Sequence, residues 1–206
     1  FGGSAGLAVV LANRAAIFVD GRYTVQVREQ VEERLFSYED FGTASVADYL
    51  ATNTSAGDVI GYDAWLHSGD WVKAVAKGAA KAGATLQATN GNPIDAVWSD
   101  QPTRPDAVLT VQPDAQAGET AAEKRARVAG VLAKDGLDAT VVTALDSVMW
   151  LFNIRGDDVA NTPVALSYAL VDASGMAQLF VAPEKLTDDV RAALGNQVAL
   201  RDYAEF

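Results

Sequence analysis

The sequence has no cysteine and only one histidine, His67, among its 206 residues. The first absence excludes disulfides, thiolate metal ligands and a cysteine nucleophile, and it fits a reducing, cytoplasmic setting. Basic residues are also scarce: 16 Lys and Arg against 27 Asp and Glu give a formal net charge of −11. Nucleic-acid binders depend on clustered cations, so no nucleic-acid partner is expected. No apolar run approaches the length of a bilayer span, and no basic segment leads into an apolar one at the start. No membrane partner is expected either.

What is present reads as an ordinary globular chain, half hydrophobic and 21% charged. Leu7–Leu11 and Ala15–Val19 are short apolar runs joined around Asn13-Arg14, the pattern of a hairpin. Tyr23, Val27 and Val31 recur at helical spacing, and a strand is expected over 35–38. Ser45 and Ser68 each precede a helical pattern, the second with Trp71, Val72 and Val75 inward and Lys73, Lys77 and Lys81 outward. Short strands are expected at 59–61 and 85–88. Asn92-Pro93 predicts a short helix, since proline suits a first helical position.

Three of the six prolines, Pro102, Pro105 and Pro113, fall in "SDQPTRPDAVLTVQPDAQAGET", which reads as a linker. Thr120 and Glu123 then make a capping box for a helix with Val128, Val131 and Leu132 inward. Glu119, Glu123, Lys124, Arg125 and Arg127 are expected on its solvated face. A buried strand over 138–143 precedes an apolar helix through Leu145, Val148 and Leu151. A hairpin follows around Asp172-Ala173-Ser174-Gly175, then a helix over 184–194 and a strand over 197–200. Both halves thus run glycine-containing loop, hairpin, helix. The expected fold class is α/β, in two tandem domains, each a mixed sheet with flanking helices. Residues 1–109 form the first with its trailing linker, and 110–206 the second.

Gly2-Gly3-Ser4-Ala5-Gly6 spells the G-x-S-x-G of a hydrolase nucleophile elbow. That elbow needs a strand before the serine and a helix after it. Here a strand follows, so the small residues are read as a tight turn. The same context excludes a dinucleotide loop, which must open a helix. Asp20, Asp58 and Asp63 lie at strand ends, where metal-dependent nucleases place carboxylates. Asp20 precedes glycine, however, which is a turn role. Trp65, Trp71, Trp98 and Trp150 sit in apolar patterns and are expected in the core.

"ALDSVMWLFNIRGDDVANTPV" places Arg155 and Asp158 directly after an apolar helix. Charges pinned to a buried element either pair internally or face a site. The residues alone favour an internal Arg155–Asp158 pair, with a substrate-facing role as the alternative.

Several blocks resemble a known family. "FGGSAGLAVV…RAAIFVDGRYTVQ" is similar to the "GFTGSAG…DGRY" block of Xaa-Pro aminopeptidases of the long, three-domain cytosolic type (aminopeptidase P). "NPIDAVWSDQPTRP" resembles the end of that family's first domain. "VVTALDSVMWLFNIRGDDVANTPVALSYALV" is similar to its second-domain block at Leu145, Asp146, Trp150, Leu151, Asn153, Arg155, Gly156, Asp158 and Pro163. The likeness runs from Phe1 to about Leu186.

The resemblance implies an enzyme that releases the residue preceding proline. It implies two divalent metal ions, usually manganese, held in a C-terminal pita-bread domain by two Asp, one His and two Glu. None of those blocks occurs in this sequence, and the family's first strand and helix are also missing. The chain is therefore expected to be an N-terminal portion, the truncated first domain plus the second. No catalytic residue, metal ligand or cofactor is expected in it. Its partners would be its own C-terminal catalytic domain, a second copy in a homodimer and, in the intact enzyme, a peptide. Arg155 is the substrate-facing candidate, with Asp158 orienting it. The alternative is a free-standing binding module that keeps the fold without the peptidase.

Overall fold

A computed structural model describes all 206 residues. Their contacts divide into two units, Phe1–Gln101 and Pro102–Phe206. In the first, β1 (Gly6–Val10) and β2 (Ala15–Val19) form an antiparallel hairpin with Leu7 opposite Phe18. The loop closes where Leu11 N–H donates to Arg14 O at 2.8 Å. After the short α1 (Gln26–Gln30), β3 (Phe36–Asp40) returns parallel to β2.

The helix α2 (Val46–Asn53) starts at Ser45, whose hydroxyl accepts the Asp48 N–H. A parallel pair follows, β4 (Val59–Tyr62) and β5 (Thr85–Ala88), joined by α3 (Gly69–Lys81), which Ser68 caps through the Trp71 N–H. Such caps contribute about 1 kcal/mol each. The two longer helices meet at Gly78, where a Cβ would lie 2.3 Å from Ala47 O. Only glycine permits that approach. Phe18, Leu50, Val75 and Ala79 fill the core beside this crossing.

In the second unit, β6 (Thr110–Val111) and α4 (Asp114–Ala117) lie within the stretch read as linker. Then α5 (Ala121–Asp135) opens with the expected capping box, both halves formed, and stops at Gly136 in the left-handed region, φ 67°. The chain continues through β7 (Ala139–Val142), α6 (Leu145–Phe152), β8 (Ile154–Arg155), β9 (Ser167–Asp172) and β10 (Ala177–Val181). It ends with α7 (Asp188–Leu194), β11 (Val198–Arg201) and a 3-10 turn at Tyr203–Glu205. The main sheet runs β11-β10-β9-β7, and β6 pairs with β8 in a separate antiparallel ribbon. Its core holds Leu109, Val148, Phe152, Ile154, Val171, Leu179 and Val190.

The order shared by the two halves has a topological counterpart. In each unit an antiparallel hairpin is followed by a helix, and then by a strand parallel to the hairpin's second strand. The turn of the second hairpin is built by Asp172, whose Oδ1 accepts the N–H of Ser174 at 2.8 Å and of Met176 at 3.2 Å.

Several local expectations change. Residues 92–98 form turns rather than a helix. Asn92 Oδ1 accepts the Ile94 N–H at 2.8 Å, as a cap would, and its Nδ2 donates to Asp63 at 2.9 Å. The turns that follow, with Ala96 N–H to Asn92 O at 3.3 Å and Trp98 N–H to Ile94 O at 3.0 Å, do not continue into a helix. The helix expected over 184–194 is a 3-10 turn, Pro183–Lys185, and then α7. Leu186 is extended and Thr187 starts a new N-terminus by accepting the Val190 N–H. The strand expected to be buried, β7, is a sheet edge with Val141 exposed.

The inward face of α5 differs most. Lys124 and Arg125 are 2% and 4% exposed, while Val131 is 55% exposed. Of the four tryptophans, Trp65, Trp98 and Trp150 are exposed rather than core. Trp150 is flanked by two cations, with Lys124 Nζ 4.7 Å and Arg127 Cζ 5.4 Å from its ring centre, an arrangement that favours a half-solvated ring.

Candidate functional site

The chemistry-bearing side chains of the second unit gather around the end of α6. That helix stops because Asn153 enters the left-handed region, φ 50°, which asparagine tolerates better than most residues. Asn153 is buried and its amide is fully used. Its Oδ1 accepts from Lys124 Nζ at 2.6 Å, and its Nδ2 donates to Asp114 Oδ1 at 2.9 Å and to Glu119 O at 2.8 Å. Its carbonyl accepts the Gln112 N–H at 2.7 Å, which starts the β6–β8 ribbon. One side chain thereby ties together α4, α5 and α6.

Lys124 also donates to Trp150 O at 3.0 Å. Burial holds its ammonium below the usual lysine range; Glu119 and Asp114 oppose that shift, and Arg155 and Arg127 add to it. The cost of desolvating a charge is offset by these hydrogen bonds and by the Trp150 ring.

Arg155 follows on β8. Its Nη1 donates to Ile154 O at 2.7 Å and to Met149 O at 3.4 Å. These carbonyls belong to the last turn of α6 and its exit, where a cation is favoured by the helix dipole. Nε and Nη2 have no acceptor in the protein, and no carboxylate pairs with the group. Next, Gly156 packs so closely that a Cβ would sit 2.6 Å from Ala165 Cβ and 2.8 Å from its N.

Asp158 does not meet Arg155. Its Oδ1 pairs with Lys185 Nζ, and its Oδ2 accepts the Leu166 N–H at 2.7 Å. Lys185 donates in addition to Pro105 O at 2.6 Å. The Asp158 side chain is 0% exposed and that of Lys185 3%. The expected Arg155–Asp158 pair is therefore replaced by Asp158–Lys185. The carboxylate organises its own loop and cannot orient the guanidinium directly.

The remaining candidates are accounted for locally. Ser4 Oγ hydrogen-bonds Tyr23 OH at 2.5 Å, and β1 rather than a helix follows it. His67 stacks on Trp71, ring centres 3.8 Å apart, and burial pushes its imidazole below the ordinary histidine range against the pull of Asp63. Asp20 accepts the Arg22 N–H and pairs with its guanidinium. Asp58 accepts the Ser55 N–H, and Asp63 the Trp65 N–H. No group of three or more His, Asp or Glu side chains is placed to hold a metal ion. No helix is long and apolar enough to cross a membrane.

The sequence does not point to Lys185, gives Asn153 only as a matched position of the family block, and predicts a solvated face for Lys124 and Arg125. A signal for burying Lys124 and Arg125 is present: they fall four and three residues before Val128, and Arg125, Ala129 and Leu132 share one stripe of α5. Lys185 meets Asp158 across 27 residues, and nothing local announces that pairing.

The structure is thus a pair of tandem α/β domains sharing a hairpin–helix–strand topology. The sequence profile described as the creatinase/prolidase N-terminal domain matches residues 1–96, and a second of the same description matches residues 100–206. The chain belongs to the creatinase/prolidase N-terminal domain family. It is 35% identical over 206 residues to a probable Xaa-Pro aminopeptidase P of Arthroderma gypseum, covering 98% of this chain and 32% of that protein. A probable Xaa-Pro aminopeptidase P of Penicillium rubens is 32% identical, with 98% and 33% covered. The crystal structure of an X-prolyl aminopeptidase from Caenorhabditis elegans superposes with a TM-score of 0.91 at 32% identity, over 100% of this chain and 34% of that one. The worm protein is described as a cytosolic enzyme with a di-nuclear active site. The chain spans about a third of the length of the relatives it matches.

Proposed function

We propose that this chain is the non-catalytic N-terminal portion of a cytoplasmic, metal-dependent Xaa-Pro aminopeptidase. In that reading its two units gate access to a C-terminal catalytic domain that holds two divalent ions, manganese by family resemblance, and they support a homodimer. One observation carries the reading: the likeness to the worm X-prolyl aminopeptidase extends over the whole of this chain at a TM-score of 0.91, yet over only 34% of the enzyme. The residues present do not fit a metal pair, since no cluster of carboxylate and imidazole donors forms. The chemistry would lie with the rest of the parent.

Within this reading Arg155 is the substrate-facing residue. Its guanidinium is held by two main-chain carbonyls, so it is fixed without being neutralised. Nε and Nη2 then remain to meet a peptide carbonyl or carboxylate, for which a planar two-pronged donor is suited. Asp158 serves indirectly, as the buried anchor of the loop that begins at Arg155.

The test has two arms. In a full-length relative carrying this chain, Arg155→Ala is expected to raise KM for an Xaa-Pro peptide about tenfold, the equivalent of about 1.4 kcal/mol of lost binding, without changing the unfolding midpoint. Unchanged kinetics would remove Arg155 from the site. The 206-residue chain alone is expected to be inert toward the same peptide with manganese added; cleavage by purified chain would overturn the reading.

A further inference from the structure

The second unit contains a cleft of about 410 Å³, bounded by α4, the first turn of α5, the end of α6 and the loop after α7. That volume suits a small ligand. Arg125 lines it and is 96% removed from solvent, being 4% exposed. Its Nη2 donates to Gln197 Oε1 at 3.3 Å, a long neutral contact, and its buried Nε has no acceptor in the protein.

No carboxylate serves Arg125, although three acids lie close in sequence. Glu123 turns back onto Thr120 in the capping box, at 2.9 and 2.8 Å. Glu119 pairs with Arg127 at 2.6 Å, and Asp114 accepts from Asn153. A buried guanidinium left without a counter-charge is costly, and burial is the one influence acting on its ionisation.

The first turn of α5 borders the same cleft through Thr120, Ala121 and Ala122. The N–H groups of Ala121 and Ala122 precede the helix's first internal bond, which Lys124 N–H makes to Thr120 O at 3.1 Å. A 15-residue helix concentrates partial positive charge at that end. The other walls carry the neutral amides of Gln112, Asn153 and Gln197 and the Asp114 carboxylate, which accepts from Asn153 at 2.9 Å. We propose that this cleft is a binding site for a small monocarboxylate, held between the Arg125 guanidinium and the N-terminus of α5. One planar carboxylate matches the guanidinium fork. A dianionic phosphate is disfavoured by Asp114 on the cleft wall and by the chain's net charge of −11.

The experiment is an amide NMR titration of the 206-residue chain at constant ionic strength, with acetate, acetyl-diglycine and inorganic phosphate as probes. Acetate is expected to give saturable shifts at Gln112, Ala122, Asn153 and Gln197. Acetyl-diglycine binding more tightly than acetate would assign the site to a peptide C-terminus, and equal binding to free acids. Arg125→Gln is expected to weaken acetate at least tenfold. Because that substitution touches a buried residue, Ala122→Asp provides the second variant. It places a fixed carboxylate where helix N-termini favour one, and should block acetate without lowering the unfolding midpoint. No saturable response to acetate, acetate binding in both variants as tight as in the unsubstituted chain, or tighter binding of phosphate than of acetate would each overturn the proposal.

Discussion

Replacing Asp158 by asparagine isolates the charge of the buried Asp158–Lys185 pair while keeping its shape. The amide oxygen can still accept the Leu166 N–H now held at 2.7 Å. What is lost is the counter-charge of an ammonium whose side chain is 3% exposed and whose other acceptor is the neutral Pro105 carbonyl. Breaking a buried pair by removing one partner costs about 3–5 kcal/mol, against about 0–1 kcal/mol for a surface pair such as Arg34–Glu32, 77% and 59% exposed. A unit of this size is stable by roughly 5–15 kcal/mol. At roughly 4 °C per kcal/mol, a loss of 3–5 kcal/mol lowers its midpoint by about 12–20 °C. Adding Lys185→Met to Asp158→Asn should recover most of that loss, since it removes the unpaired buried ammonium and leaves a neutral amide whose oxygen can still accept the Leu166 N–H. Urea unfolding followed by circular dichroism, with amide exchange at Leu166 and Leu109 reporting the second unit, supplies the numbers. A loss below about 1 kcal/mol for Asp158→Asn would refute the reasoning, because the pair would then behave as solvated.

Two further outcomes are expected. Gly78→Ala gains up to about 1 kcal/mol of helix propensity, but its Cβ falls 2.3–2.7 Å from the Ala47 backbone; a net loss of about 1–3 kcal/mol is expected on urea unfolding, and a stabilised variant would show that α2 and α3 do not cross so closely. Tyr203 is pushed up to about 12 by burial and by donating to Tyr168 OH at 3.1 Å. In the unfolded chain it ionises near 10, so its stabilising contribution is complete below pH 10 and is lost as pH rises from 10 to 12. Absorbance at 295 nm should show one of the six tyrosines lagging the others, and a single transition near pH 10 would contradict its burial.

Local signals were the legible part of this sequence. Ser45, Ser68 and Thr120 cap helices through residues three positions on, and the Asp172–Gly175 turn closes on itself. What escaped depends on partners distant in the chain. Lys124 is buried because Trp150 and Asn153 supply acceptors 26 and 29 residues away. Charge alone placed it on a solvated face. The nearest cation to Asp158 in the sequence is Arg155, three residues back, but the fold brings Lys185 to it in a dry position instead. The apolar neighbours of Trp150 in the sequence predict a core position, and the two cations beside its ring are invisible until α5 packs on α6.

The block that carries the family resemblance can now be divided by what each residue does. Asn153 ends α6 and ties three helices together, Gly156 admits Ala165, and Asp158 neutralises Lys185. Each of these roles is satisfied inside the unit, so any chain using this packing would need them whatever it binds. A match at such positions therefore argues for the fold, and only weakly for a shared reaction. Arg155 is different. Its contacts are to main-chain carbonyls that water or another cation could satisfy as well, and its remaining N–H groups are unspent by the protein. A guanidinium fixed in place without a counter-ion is poorly explained by packing alone. That asymmetry between Arg155 and its neighbours in the same motif is the reason the substitution proposed at Arg155 is read by kinetics, and the one at Asp158 by stability.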